Sequence, residues 1–468
     1  MNEPRLTALA ATLAGGLLAG CTSLAPKYER PAAPVAPAFT DAASALGATA
    51  ASDIDWNTFF VDTRLKRLID VALKNNRDLR IAVLNIEQAR ATYGVRRADQ
   101  WPTVGLGASG QRGPSQITGN VTTLYTVGLQ VTAYEIDLFG RVRNLSDAAL
   151  AQYLGTEEGR KAAQMSLISA VANTYLALLA DDELLAITSE TLKTREESLK
   201  LSKLKFDNGA ASEIDFRQSE SLLESARVTL AQLTRQRALD ENALALLLGQ
   251  GLPTDLPPPL AMSEQRLATD LPAGVPSEVL ARRPDVRQAE QQLIATNANI
   301  GAARANFFPR ISLTASAGTA SSELSGLFKS GTAAWTFAPQ ILLPIFDAGR
   351  NQANLDIAKV NREIAVAQYE KSIQVAFREV QDALAGRATL GEQARAQLAQ
   401  ANAEQVRFRL ADLRYKNGAA SYLDVLDAQR SLFTAQQAVV QVQAQQVQNL
   451  VTLYKVLGGG WTEPPAAQ

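Results

Sequence analysis

The chain has 468 residues, with 46 Lys and Arg against 47 Asp and Glu for a formal net charge of −1, one cysteine and no histidine. Without histidine there is no Ser-His-Asp or Cys-His relay, no imidazole acid–base group and no His-ligated metal, and a single cysteine forms neither an internal disulfide nor a Cys-rich zinc site. Balanced charge leaves no basic footprint for nucleic acid, so the composition points away from enzymes, metal proteins and nucleic-acid binders.

Residues 1–20 hold Arg5, an apolar run from Leu6 to Leu18 and then small residues, the layout of a secretory signal. The run closes on Leu18-Ala19-Gly20-Cys21, which resembles the lipobox of exported bacterial lipoproteins. In such proteins the cysteine is acylated and becomes the first residue, so Cys21 is the expected lipidation site, with an N-acyl chain and an S-diacylglycerol. Chains worth about 0.8 kcal/mol per buried CH₂ hold a protein at a membrane stably when two or more are present. The plain alternative is a core cysteine in a buried helix. Thr22 follows, in place of the Asp that resembles an inner-membrane retention signal, which favours the outer membrane. Pro26, Pro31, Pro34 and Pro37 among alanines read as an extended tether, so 21–61 is a lipidated Pro/Ala-rich segment leading into the folded part.

The rest is one unit used twice. Lys205–Ser212 (KFDNGAAS) matches Arg414–Ser421 (RYKNGAAS) at a separation of 209, as do Asp215 with Asp424 and Gly249 with Gly458. The repeats are expected over 62–251 and 285–459, with a Pro-rich segment 252–284 between them and a tail 460–468. In the first repeat Leu65–Gln100 reads as helix, stopped by Trp101-Pro102. Gly140–Phe206 has no proline, so it reads as a helix of about 65 residues, about 100 Å at 1.5 Å per residue. Leu178, Leu185, Leu192, Leu199 and Phe206 recur every seven residues, as do Leu426, Phe433, Val440, Val447 and Tyr454, which argues coiled-coil packing.

Between helices the period becomes two. Val121, Thr123, Tyr125, Val127, Leu129, Val131 and Ala133 share one face, and Trp335, Phe337, Ile341 and Leu343 share another, within hairpins expected at about 102–134 and 309–345. Strands of about ten residues cross a bilayer in a tilted barrel, and Pro339 is expected at a bulge or an end. Four strands cannot close a barrel, since an open edge in lipid leaves backbone groups unsatisfied. The chain must therefore share one, and three copies would supply twelve strands and twelve helices.

YEIDLFGR at 134–141, PIFDAGR at 344–350 and RYKNGAASYLDVLDAQRSLF at 414–433, with the lipobox, resemble the outer membrane factor family of TolC-like ducts, in its OprM- and NodT-like lipoprotein efflux branch. The resemblance covers nearly the whole mature chain. It implies a fold that is mainly α with a membrane β-barrel: a homotrimer with a twelve-stranded β-barrel continued by a twelve-helix α-barrel, each protomer internally duplicated. It further implies a passive outer membrane channel that carries drugs or other small toxic compounds, working with a periplasmic adaptor protein and an inner-membrane pump of the resistance-nodulation-division type. The alternatives are a type I protein-secretion duct and a structural coiled-coil lipoprotein without a pore.

Candidate site residues fall in three groups. Asp137 is placed to cap the long helix, a structural role. Asn208, Gly209 and Ser212, with Asn417, Gly418 and Ser421, read as tight turns followed by N-caps; the resemblance adds adaptor contact at these hairpin tips. Leu423, Asp427 and Arg430 share one helix face, with Asp424 beside them. Read alone they fit a solvated face with an exposed Asp–Arg pair. By resemblance they form the periplasmic gate, in which Leu423 narrows the opening, Asp424 and Asp427 set a negative potential and Arg430 pairs across helices.

Overall fold

The computed structural model describes residues 23–36, 39, 51–114, 119–265, 267 and 282–461. The signal segment, Cys21, residues 40–50 of the tether, 268–281 of the inter-repeat segment and 462–468 of the tail lie outside the described residues. Among the described residues the chain is mainly helical, with one four-stranded sheet. After a one-turn helix at Trp56–Phe59 come α1 (Thr63–Asn75), α2 (Arg77–Ala98), β1 (Val104–Pro114), β2 (Val121–Ile136), α3 (Arg141–Asp207) and α4 (Glu213–Leu248). The second repeat supplies α5 (Pro284–Ala305), β3 (Arg310–Ser321), β4 (Ala333–Leu342), α6 (Arg350–Lys416) and α7 (Tyr422–Val456). α3 and α6 are each 67 residues, about 100 Å of helix at 1.5 Å per residue.

The chain divides into two compact units. The first takes Met1–Ala33, Leu84–Glu157 and Arg287–Lys371, and holds the sheet. Its strands run antiparallel in the order β1-β2-β3-β4. The register puts Leu106, Leu129, Ala317 and Trp335 in one row, and Val104, Val131, Ala315 and Phe337 in another, on an apolar face. On the opposite face Gly105, Gln130, Ser316 and Thr336 align, beside a row of Gly107, Gly128, Gly318 and Ala334. The alternation read along β2 breaks once. A bulge between Val131 and Tyr134, with Ala133 at φ 52°, inserts one residue, so Tyr134 rather than Ala133 continues the apolar face. Pro339 also departs from expectation, standing inside β4 opposite Leu313 with no bulge there. Within the chain β4 pairs with β3 alone.

At the foot of the sheet Glu135 accepts two hydrogen bonds of 2.7 Å from Arg141 and an ion pair of 2.6 Å from Arg310. Asp137 accepts from the Arg143 N–H at 2.8 Å, which caps the first turn of α3 as expected, and Asp347 does the same for α6 through Asn351 N–H at 2.8 Å.

The second unit takes Pro34–Val83, Glu158–Val286 and Ser372–Gln468. Its core gathers Phe59, Phe60, Leu65, Leu68, Ile69, Tyr175, Leu176, Leu244, Leu248 and Tyr454, all fully or almost fully buried. The Phe59 and Tyr454 rings stack at 3.9 Å. Asp62 caps α1 through the Arg64 N–H and accepts from the Tyr175 hydroxyl and the Gln265 amide, each at 2.9 Å. The helix expected over 65–100 is two helices. Asn76 is extended at ψ 131°, its side chain accepting from the Leu79 N–H and donating to the Leu247 carbonyl, so a buried Asn breaks the helix where periodicity showed none.

The two seven-residue stripes fare differently. On α7, Leu426, Phe433, Val440, Val447 and Tyr454 are all buried. On α3, Leu178 is buried but Leu185, Leu192 and Leu199 are half-buried and Phe206 is exposed. The buried seven-residue column of α3 is polar instead, made of Asp181, Thr188, Arg195 and Ser202.

Candidate channel constriction

The hairpin tips form because each long helix ends in the same chemistry. Asn208 and Asn417 turn their amides back onto the carbonyls of Leu204 and Leu413 at 2.7 and 2.8 Å. Gly209 and Gly418 then adopt φ 71° and 72°, the left-handed region that closes helix ends. A Cβ at either glycine would meet nothing within 4 Å, so backbone conformation and not space requires the glycine. Ser212 and Ser421 start the return helices with capping boxes, completed by Asp215 and Asp424. The two tips are also tied to each other. Lys205 donates to the Tyr415 hydroxyl at 2.6 Å and its ammonium lies 4.4 Å from that ring, while the Ser219 hydroxyl lies 3.4 Å from that of Tyr422.

Leu423, Asp424, Asp427 and Arg430 open α7. Leu423 is 55% exposed although large and apolar. Asp424 accepts from the backbone N–H and hydroxyl of Ser421 at 3.1 and 3.0 Å, so it fastens the tip as well as carrying charge. Asp427 is held by two guanidiniums. Arg430 donates to it at 2.5 Å from the same helix, and Arg407 reaches it from α6. The hydrogen bond from Arg407, then that from Arg430, keeps the Asp427 carboxyl below the usual carboxylate range. Within the chain Arg430 therefore does not pair across helices, because its i−3 carboxylate is nearer. Arg407 makes that crossing. Sequence reasoning missed Arg407, although a signal existed: Arg407 and Asp427 are equally distant from Asn417, where the hairpin folds back.

Residues 23–30 lie along α5 as a strap, more ordered than a spacer reading implies. Ser23 donates to Asn144 at 2.6 Å, Arg304 donates to the Leu24 carbonyl at 3.0 Å and Asn297 to the Pro26 carbonyl at 2.7 Å. Glu290 accepts from Tyr28 at 2.9 Å and from Arg30 at 2.7 and 2.9 Å. A Cβ on Gly301 would come within 2.7 Å of the Ala25 nitrogen, so the strap's close approach requires glycine there. The strap runs antiparallel to α5, with Leu24 beside Arg304, close to the start of β3 at Arg310. No cluster of three or more potential metal ligands occurs among the described residues.

The model of the family described as outer membrane efflux protein matches residues 68–250 and 275–459. The chain is 50% identical over 461 residues to the solvent efflux pump outer membrane protein SrpC of Pseudomonas putida, covering 95% of this chain and 97% of that one. It is 45% identical over 469 residues to the outer membrane protein OprJ of Pseudomonas aeruginosa, covering 99% and 98%. Among solved structures, the open state of the Neisseria gonorrhoeae MtrE outer membrane channel matches with a TM-score of 0.86 at 44% identity, covering 94% of this chain and 98% of that one. These relatives are transport proteins and not enzymes, and the resemblance to the efflux branch read from the sequence holds. With its two matched repeats, four-stranded sheet and paired long helices, the chain belongs to the outer membrane efflux protein family and is an outer membrane efflux channel protein.

Proposed function

We propose that three copies of this chain assemble into a passive duct for drugs, solvents or other small toxic compounds, fed by an inner-membrane pump of the resistance-nodulation-division type through a periplasmic adaptor. The observation that carries this is the sheet. It has an apolar face, a polar and glycine-rich face, and two strands, β1 and β4, each paired on one side only within the chain. Such edges cannot remain open in lipid, and about eight strands is the smallest single-chain barrel. Three sheets pairing β4 of one protomer with β1 of the next give twelve strands, and α3, α4, α6 and α7 give twelve helices for a tube. The efflux names of the relatives support the substrate class.

In this reading Leu423 narrows the periplasmic end and Asp424 and Asp427 make it negative. Asn208, Gly209 and Ser212, with Asn417, Gly418 and Ser421, present the tips to the adaptor. Cys21 carries the N-acyl and S-diacylglycerol chains that bind outer membrane lipid. The strap supports this last assignment, since it leads toward the strand end of α5 only three residues after Cys21. Deleting the chain in its host and following accumulation of a lipophilic dye tests the function. Raised accumulation, reversed by the intact chain, supports efflux; unchanged accumulation with loss of an exported protein would favour the protein-secretion alternative.

A further inference from the structure

The internal duplication fixes more of a shared barrel than its strand count. Within the chain the two hairpins meet where β2 pairs with β3. Between protomers the corresponding neighbours are β4 and β1, because β4 stands to β3 as β2 stands to β1. Trp101-Pro102 and Phe308-Pro309 set β1 and β3 at a separation of 207. Val104 lies opposite Val131, and Ile311, 207 residues on, lies opposite Ile341, so β2 before its bulge corresponds to β4 at a separation of 210. After the bulge β2 has used one residue more, so Tyr134 corresponds to Leu343 at 209, the separation that also relates Gly140-Arg141 to Gly349-Arg350.

Carried across by these offsets, the β2·β3 ladder gives a register for the seam between protomers. After the bulge, Tyr134 opposite Leu313 becomes Leu343 opposite Leu106, and Ile136 opposite Ile311 becomes Ile345 opposite Val104. Before the bulge, Val127 opposite Thr319 becomes Phe337 opposite Arg112. The β2·β3 ladder shifts at its bulge, yet both halves yield one unbroken seam register, as a β4 without a bulge requires. The apolar face runs on across it, whereas a slip of one residue would set apolar against polar faces. Leu343, Ile345, Val104 and Leu106 are all exposed within the chain although large and apolar. Pro339 and Pro344 fall opposite Gly110 and Gly105, and within the chain a Cβ at Gly105 would meet nothing within 4 Å.

We infer that in the shared barrel, on which this rests, β4 extends through Ile345 and pairs with β1 of the next protomer in this register, Leu343 against Leu106 and Ile345 against Val104. The seam differs in chemistry from the junction within the chain. There Glu135 pairs with Arg310 at 2.6 Å and the Phe139 ring stacks on Phe308 at 4.6 Å. The corresponding residues across the seam are Pro344 with Thr103, and Ala348 with Trp101. No ion pair forms from such residues. Phe346, two positions before Ala348 and on the same face, is the aromatic that reaches Trp101 diagonally. Both rings are open within the chain, Phe346 at 89% and Trp101 at 72% exposure. Charged junctions within protomers therefore alternate around the barrel with apolar junctions between them.

Oxidative crosslinking of the full-length protein in detergent, beside native mass spectrometry, tests the register. Leu343→Cys combined with Leu106→Cys should give a covalent trimer on a denaturing gel that returns to monomer on reduction. Combined instead with Val104→Cys or Ala108→Cys, two positions away on the same face, Leu343→Cys should lose that trimer, because diagonal neighbours lie about 7–8 Å apart and directly opposed ones about 5 Å. A native trimer in which Leu343→Cys links best to Val104→Cys or Ala108→Cys, or to none of the three, would overturn the register and leave the shared barrel standing. A native monomer would refute both. In the wild-type trimer the amides over 343–346, which have no strand partner within the chain, should exchange as slowly as those of β2. Exchange there at free-chain rates would overturn the proposal even if no variant assembles.

Discussion

Arg407 and Asp427 stand at equal distances before and after Asn417, and the α6/α7 hairpin brings their charges into contact. The same carboxylate takes Arg430 from its own helix, so a single Asp both crosses between helices and pairs along one of them. Both guanidiniums and the carboxylate are more than a third exposed, which limits either pair to under about 1 kcal/mol. If the proposed constriction widens at this point, that is a suitable scale for a contact that breaks as it does.

Arg407→Ala should loosen the second hairpin more than Arg430→Ala, since only Arg407 joins two helices. Hydrogen exchange over 400–432 should rise in the first variant and stay near wild type in the second. Asp427 titrates below its ordinary range, so its pairing is present above about pH 4 and is lost as pH falls further. Tip exchange attributable to this pair should be level between pH 5 and 8 and rise only below about pH 4.

Gly209→Ala and Gly418→Ala should each cost about 1 kcal/mol of local stability, because alanine at φ near 70° is strained although no atom blocks it. Ser421→Ala should cost about as much by removing a capping box. The measurement is amide exchange, raised only in the last turn of α3 and the first of α4 for Gly209→Ala, and only in the last turn of α6 and the first of α7 for Gly418→Ala and Ser421→Ala.

Cys21→Ser should abolish fatty-acid labelling, because serine offers no thiolate to acylate. Glu290→Ala should leave labelling intact but free the strap, so trypsin should cut after Lys27 faster than in the wild type. Label retained in Cys21→Ser, or equal cleavage in Glu290→Ala, would contradict the lipid site and the strap respectively.

The turns and caps were legible because they rest on local chemistry. Asn-Gly followed by Ser and, three residues on, Asp specifies its own hydrogen bonds wherever the chain goes. The apolar stripe of α7 was legible for a similar reason, as its burial follows period seven alone. The polar column of α3 was not, because period seven selects a face without saying which of two adjacent stripes is innermost, and leucines drew attention from Asp181 and Arg195. Asn76 and Arg407 depend on partners 171 and 20 residues away. Such contacts appear only once the hairpins and the α1/α4 packing are known. The bulge at Ala133 likewise reflects register against β3, which no single strand declares.

Three copies are expected in the folded assembly, because a four-stranded sheet leaves two edges unpaired. Native mass spectrometry in detergent should give a trimer, and a stable monomer would be incompatible with a shared barrel.

The most direct test of the account is single-channel recording from the purified protein in planar bilayers. The wild type should open rarely, conduct little and prefer cations, while Arg407→Ala should raise conductance and the Asp424→Ala/Asp427→Ala double variant should lose the cation preference. Conductance and selectivity identical to wild type in all of these variants would contradict a constriction at the start of α7.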